Sequence, residues 1–235
     1  EILRQSHWDW DAIDWFWIND DHRRFQQQTL QALGIPQDKI LSSDRHPNIQ
    51  AEQLIVPSFP GHLGWLEPWA LHFLRQSFLP LGKARAQQAK KPLPRRLYIS
   101  RDQAHHRRVL NEAAVIAQLE PFGFVPVQLE ALDFLDQVAL FSQAEVIIAP
   151  HGGGLTNTLF CAPGTTVIEL VSPQYIRHYY WVISHLLGLN HYYVTSDEFN
   201  CFPLRQLMYP SPLTEDIWIS PETLSQILQR IDLAD

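Results

Sequence analysis

An apolar run that breaks on three successive glycines sets the strongest limit on what this chain can fold into. Residues 144–171 read AEVIIAPHGGGLTNTLFCAPGTTVIELV. The segment Val146-Ile147-Ile148-Ala149 is too short for a helix and has the composition of a buried strand. It ends in Pro150-His151-Gly152-Gly153-Gly154, after which Leu155 to Phe160 has the pattern of a helix's opening turns. Residues 165–171 form a second apolar strand, with Glu169 near its end. A strand, a glycine turn and a helix start leave bare backbone N–H groups where an anion can approach closely. The stretch is a candidate phosphate seat, and equally a tight strand-to-helix connection with no ligand.

The residues around it keep the same rhythm. Strands are expected at 96–99, 124–129, 167–171 and 191–194, and helices at 109–119, 134–141, 175–187 and 221–233. Strands alternating with helices of this length imply right-handed crossovers and a parallel sheet covered on both faces. Ligands of such sheets bind beyond the carboxyl ends of the strands. That rule gathers Ser100-Arg101, Pro150-His151-Gly152 and Glu169-Leu170 onto one edge, although they lie far apart in sequence.

Upstream, residues 15–18 have strand character and end at Asn19-Asp20, a helix-start signal. A helix through Phe25, Leu30 and Leu33 closes at Gly34-Ile35-Pro36. Short strands are expected at 39–41 and 53–56, the latter stopped by Pro57, and a helix at 65–79. The tryptophans of this part are expected in a core rather than in an acceptor platform. Residues 82–94 (GKARAQQAKKPLP) are polar, basic and bracketed by Gly and Pro, the composition of a linker. The expected division is a first domain over 1–90, a second over 91–200, and a Pro-rich tail with a closing helix over 201–235.

Composition narrows the function. With 46% hydrophobic and 18% charged residues the chain is globular, and a formal charge of −7 argues against a nucleic-acid partner, which demands surplus Lys and Arg. Its basic cluster, Arg95, Arg96, Arg101, Arg107 and Arg108, is local and suits a small anionic ligand. No apolar run approaches the roughly 18 residues of a membrane-spanning helix. Two cysteines, Cys161 and Cys201, make neither a disulfide framework nor a zinc pattern, and both are expected as buried thiols. The first residue is Glu1 rather than Met, which leads to the expectation of a trimmed chain with sequence upstream.

Arg101 falls just past a strand, and Arg107, Arg108, Asn111 and Glu112 fall at the start of the next helix. Guanidinium groups hold phosphate oxygens through forked, charge-assisted hydrogen bonds. His151 has three readings: a donor to phosphate, a general base, or a structural residue at a strand end. Asn157 either bonds locally or reaches the ligand; Glu169 either accepts from ribose hydroxyls or pairs with an arginine.

Competing motifs lack their partners. The glycine run is not G-x-G-x-x-G with an acid about 20 residues on, nor a P-loop. His151-Gly152-Gly153-Gly154 is similar to an esterase oxyanion loop, but no G-x-S-x-G nucleophile elbow accompanies it. No H-E-x-x-H occurs. A binder of a nucleoside diphosphate group, without its own metal cage, survives.

These residues resemble the family 61 glycosyltransferases, which include EGF-domain O-linked N-acetylglucosamine transferases, plant xylosyl- and arabinosyltransferases, and bacterial enzymes of capsular polysaccharide biosynthesis. The motifs are Leu97-Tyr98-Ile99-Ser100-Arg101, Arg107-Arg108-Val109-Leu110-Asn111-Glu112, Phe134-Leu135-Asp136-Gln137, His151-Gly152-Gly153-Gly154-Leu155-Thr156-Asn157 and Val167-Ile168-Glu169-Leu170. The family pattern is strand-S-R, R-x-x-x-N-E, a D/E-Q pair, H-G-A-G-L-T-N and E-L, in that order. Gly153 stands where the family usually has Ala. More loosely, Phe25 to Ile40 resembles the family's L-G-I-P-x-x-K-I region, and Glu1-Ile2-Leu3 the end of an H-W-x-x-E-x-L-P segment. That similarity implies an incomplete first domain.

The resemblance implies a GT-B-like α/β fold of two Rossmann-like domains with parallel sheets, the donor on the second and the acceptor on the first. It implies inverting transfer of a sugar from a nucleoside diphosphate sugar, UDP-linked, to a glycan or polysaccharide acceptor. No metal and no cofactor beyond that donor substrate are expected, and the expected location is cytoplasmic, at the inner face of the membrane. The implied nucleotide-sugar wall is Arg101, Arg107, Arg108, Asn111, Glu112, His151 to Asn157 and Glu169. The general base is unassigned, with His62 and His151 as candidates. The alternative is a non-catalytic sugar-nucleotide or glycan binding protein.

Overall fold

The computed structural model describes residues 1–19, 23–59, 61–195 and 201–233, except for the side chain of Phe202. The first elements are short: α1 (Ile2–Gln5), β1 (Phe16–Ile18), α2 (Arg24–Ala32) and β2 (Ile40–Ser42). β1 and β2 pair in parallel, Phe16 opposite Ile40 and Ile18 opposite Ser42, with α2 crossing between them. Gly34 (φ 77°) turns the chain after α2 in the left-handed region that glycine enters without strain.

The main body alternates strands and helices: α3 (Pro68–Gln87), β3 (Arg96–Ile99), α4 (Glu112–Leu119), β4 (Phe124–Val127), α5 (Phe134–Gln143), β5 (Val146–Pro150), β6 (Thr166–Val171), α6 (Tyr179–Leu187) and β7 (Asn190–Thr195). The five strands β3 to β7 form one parallel sheet in the order β4-β3-β5-β6-β7. After β4 the chain returns across β3 to lay down β5 on its other side. The strand order thus reverses between β3 and β5, where open α/β sheets leave a crevice beyond their carboxyl ends.

Alternation along the strands builds two cores. Leu97, Ile99, Ile147, Ala149 and Val167 point to one face, under α3, α5 and α6, where Phe78, Val138, Phe141 and Ile183 cover them. Tyr98, Val146, Ile148, Ile168 and Leu170 point to the other face, under Val115 and Leu119 of α4 and Leu224 and Leu228 of α8 (Pro221–Arg230). α7 (Phe202–Met208) precedes a stretch that runs beside the loop after β3, with Val109 bridged to Ile217.

Several expectations are corrected. Residues 53–56 form no strand; Leu54 and Val56 are exposed, with no neighbouring strand to pair with. α3 does not stop before Pro80 but continues through residues 82–87 of the supposed linker. Proline removes one helical hydrogen bond, yet Phe78 and Gly82 are buried here, and a Cβ at Gly82 would lie 2.3 Å from Val138 Cγ1. Packing against α5 holds the helix together, and α3 shares its core with the five-stranded sheet. α4 begins at Glu112 rather than 109, because Val109 is bridged to Ile217, and α6 begins at Tyr179 rather than 175. The N-terminal tryptophans are not core: Trp8, Trp15, Trp17 and Trp65 are exposed and Trp10 and Trp69 half-buried. Cys201 is exposed, while Cys161 is buried as expected. Asp20 of the helix-start signal lies outside the described residues, and α2 begins at Arg24. Among the described residues, no helix is long and apolar enough to cross a membrane.

Candidate functional site

The glycine turn sits at the reversal point. β5 ends at Pro150, and His151 extends the pairing by one bond, its N–H donating to Leu170 O at 2.8 Å. The chain then passes through Gly152 into a 3-10 helix over Gly153–Phe160, started by Leu155 N–H to Gly152 O at 2.9 Å. Among the described residues, the N–H groups of Gly153 and Gly154 have no protein acceptor. Two free donors side by side at a helix start are the elements of an anion seat.

Arg101, from the loop after β3, closes over this turn. A Cβ at Gly152 would lie 2.2 Å from Arg101 Nη1, so a side chain there would push the guanidinium aside, whereas the backbone angle itself suits any residue. Gly154 is constrained more mildly, by Leu129 Cδ1 at 2.8 Å, and nothing lies within 4 Å of a Cβ at Gly153. The family's usual Ala at that position would fit without rearrangement. Arg101 Nη2 donates to His106 O at 3.3 Å, but the buried Nε has no partner. Burial first, and the charge of Arg107 second, hold the Arg101 guanidinium below its ordinary pKa. Both penalties would be relieved by a bound anion.

Arg107 and Glu112 brace the loop. Arg107 (φ 55°) donates from Nε to His151 O at 3.0 Å and from Nη1 to Leu213 O at 2.7 Å, and its guanidinium carbon lies 5.9 Å from the Tyr175 ring centroid. Glu112 accepts from Tyr98 OH at 3.0 Å, Ser100 Oγ at 3.1 Å and the Arg101 N–H at 3.4 Å, fixing the point where Arg101 leaves the strand.

Behind the turn runs a buried polar chain. His151 Nδ1 is hydrogen-bonded to Glu169 Oε1; the other oxygen, Oε2, lies 3.2 Å from His191 Nε2, and His191 Nδ1 lies 2.9 Å from Ser184 Oγ. Burial alone would raise the Glu169 carboxyl pKa, but hydrogen bonds from His151 and His191 outweigh it and hold the group below its ordinary value. The His151 ring is boxed by Tyr175 and Tyr180, each with its centroid at 5.1 Å, and Tyr179 at 6.1 Å. Burial, helped by the charge of Glu169, pushes the Tyr180 hydroxyl up to about 12.

The structure therefore brings together Arg101, Arg107, Glu112, His151 and Gly152 to Gly154. Other expected site residues have different partners. Arg108 forks onto Asp216 at 3.2 and 2.7 Å, and Asn111 exchanges two bonds with the backbone of Ile219. Asn157 donates to Gln137 Oε1 on α5 at 2.9 Å and, within its own helix, to Gly154 O at 3.2 Å. Leu155 is buried core and Thr156 is exposed beside the turn. The partners of Glu169 are histidines rather than an arginine. His62 is exposed on a separate turn.

Residues that sequence reasoning missed are His191, Ser184, the three tyrosines and Asp216. Only His191 carried a hint, as a histidine on a strand expected beside the one holding Glu169. Among the described residues, no group of three or more His, Cys, Asp or Glu side chains is placed to hold a metal ion.

Comparison with known proteins finds glycosyltransferases among the chain's relatives. Over 107 residues the chain is 38% identical to the human protein O-linked-mannose β-1,4-N-acetylglucosaminyltransferase 2, covering 42% of this chain and 18% of that protein. It is 37% identical over 57 residues to the β-1,2-xylosyltransferase of Arabidopsis thaliana, covering 24% of this chain and 11% of that protein. It is 36% identical over 76 residues to the EGF domain-specific O-linked N-acetylglucosamine transferase of Drosophila melanogaster, covering 31% and 14% respectively. The chain thus spans about one fifth or less of the length of these curated relatives. The family model described as Glycosyltransferase 61 matches residues 7–168, a span that runs through Arg101, the arginine loop and the whole glycine turn and ends at Ile168 of β6. By that match the chain belongs to the glycosyltransferase 61 family.

Proposed function

We propose that the edge between β3 and β5 holds the diphosphate of a nucleoside diphosphate sugar, UDP-linked, and that the protein is an inverting glycosyltransferase acting on a glycan or polysaccharide acceptor. The observation that carries this is the Arg101 guanidinium, packed on Gly152 with a buried Nε lacking a partner, beside the free N–H groups of Gly153 and Gly154. Among the described residues, nothing accepts from these donors. Relatives named as N-acetylglucosaminyl- and xylosyltransferases supply the reaction class.

In this mechanism the acceptor hydroxyl oxygen attacks the anomeric carbon and forms the new glycosidic bond. The bond from that carbon to the phosphate oxygen breaks, and the electron pair leaves with the diphosphate. Donors already aimed at the leaving group lower the barrier, because they need no reorganisation as charge develops. Arg101 and the two glycine N–H groups take that role, and Arg107 holds the loop in place through the His151 carbonyl. Glu169 accepts from Nδ1–H of His151, and with both ring nitrogens protonated Nε2–H is the donor that serves the diphosphate. The acceptor proton goes to a base on the acceptor side, for which His62 is the candidate.

The GT-B arrangement belongs to the same proposal: a donor-side unit built on the five-stranded sheet and an acceptor-side unit upstream. Metal independence and a cytoplasmic location at the inner face of a membrane, with peripheral association there, complete the proposal. The first rests on the GT-B architecture and the others on the resemblance to bacterial capsular polysaccharide enzymes.

A nucleotide panel read by thermal shift tests the proposal. UDP at a hundredfold excess over its Kd should raise Tm by about 5–10 °C, and no shift with any nucleoside diphosphate would refute it. Nucleotide binding without turnover of any UDP-sugar would favour a non-catalytic binding protein.

A further inference from the structure

One aromatic residue beside the site is held firmly and used by nothing. Residues 61–65 make a tight turn in which Trp65 N–H donates to His62 O at 2.9 Å, and the two residues form a short antiparallel bridge. Gly64 takes the left-handed conformation at φ +82°, and a Cβ there would lie 2.2 Å from Tyr179 Cδ1 and 2.9 Å from His178 Nε2. The turn is therefore seated on the first residues of α6. Trp65 ends up 5.2 Å from the His178 ring at an interplanar angle of 38°, yet 57% exposed. Leu63 on the same turn is more exposed still.

The placement is specific to the site. α6 follows β6, so its first residues stand at the carboxyl edge of the sheet. Ring contacts run from Trp65 to His178, from His178 to Tyr179 at 5.3 Å, and from Tyr179 to His151 at 6.1 Å. The residue after His151 packs on Arg101, and the His151 ring lies against Tyr179. A displacement at an anomeric carbon needs its nucleophile and its leaving group on opposite sides. With the diphosphate held by Arg101, the line of rings from His151 through Tyr179 and His178 leads to Trp65 as the acceptor's approach.

We propose that Trp65, backed by His178, is a stacking platform for a sugar ring of the acceptor, a deepening that rests on the glycosyltransferase reading. A pyranose ring has an apolar C–H face that covers an indole and a hydroxyl rim that needs polar neighbours. The immediate surroundings of Trp65 match that mixture: His62 on the same turn, His178 behind the ring, and Glu67 two residues on. A rigid aromatic with polar neighbours also gives contact area at little entropy cost.

The test is saturation-transfer NMR of methyl glycosides of xylose, mannose, galactose and N-acetylglucosamine, with UDP affinity measured in parallel. The wild-type protein should transfer saturation to the ring protons of at least one glycoside. Trp65→Ala should weaken that glycoside's binding about twofold to tenfold, Trp65→Phe should largely restore it, and UDP affinity should be unchanged in both. The Tm of each variant reports folding, and the exposed position predicts little change. No glycoside binding by the wild type, or equal binding by Trp65→Ala, overturns the platform. Failure of the wild type to bind UDP strikes the glycosyltransferase reading instead.

Discussion

The imidazole of His151 and the carboxylate of Glu169 form a hydrogen-bonded pair almost sealed from water, with side-chain exposures of 4% and 2%. β5 and β6 are neighbours in register, so the residue after β5 and a residue near the end of β6 meet across the sheet. His191 on β7 takes the second carboxylate oxygen, and Glu169 is left to act on His151 rather than on solvent.

That placement separates two roles for Glu169. A ribose-binding carboxylate predicts that Glu169→Ala weakens UDP and spares pyrophosphate. A carboxylate that orients His151 predicts equal, small changes for both ligands. Glu169→Gln should then lower turnover about tenfold or more with nucleotide affinity nearly unchanged, as calorimetry beside steady-state kinetics would show. Because removing one partner of a buried pair leaves the other uncompensated, Glu169→Ala should also cost about 3–5 kcal/mol of stability by chemical denaturation.

Acid sensitivity follows with a definite sign. The folded Glu169 carboxyl is held below its ordinary value of 4.5 by the two histidines, against the pull of burial. A depressed carboxyl contributes stability above its unfolded pKa and loses it as pH falls through the folded one. Tm of the wild type should therefore fall more steeply than that of Glu169→Gln as pH drops below 4.5. Parallel curves from a pH series of thermal melts would remove Glu169 from the cause.

The two thiols should differ sharply toward an aromatic disulfide reagent. Cys161 is fully buried and its thiol is pushed up to about 12 by burial, whereas Cys201 is exposed. Only the thiolate attacks a disulfide, so one equivalent should react in the native protein and two after unfolding. Rapid reaction of both thiols in the native state would contradict the packing of the 3-10 helix against α3.

Much of the sheet could be read before the structure, because strands 146–150 and 166–171 are short, apolar and buried on both faces. Arg101 and the glycine turn were placed by the rule that ligands meet such sheets at their carboxyl edge. What escaped depended on distant partners. Arg108 and Asn111 carried the charge and polarity of ligand residues, but Asp216 and the Ile219 backbone, 108 positions away, engage them. Glu169 read as a ribose acceptor or an arginine's partner because sequence does not show that β7 brings His191 beside it. The helix expected over 65–79 runs on past Pro80 to Gln87, where Gly82 packs on Val138. The tryptophans suggested a core that a two-stranded sheet is too small to provide.

The central claim is that Arg101 and the glycine turn form one diphosphate seat, and neighbouring glycines test it most directly. UDP should be titrated calorimetrically into the wild type, Gly152→Ala, Gly153→Ala and Arg101→Ala. A methyl at Gly152 displaces the guanidinium, whereas one at Gly153 meets nothing within 4 Å. Gly153→Ala should bind like the wild type, and Gly152→Ala and Arg101→Ala should each lose about tenfold to a hundredfold, the worth of hydrogen bonds to a charged group. Equal affinity across all four proteins, or no binding by the wild type, would contradict the account.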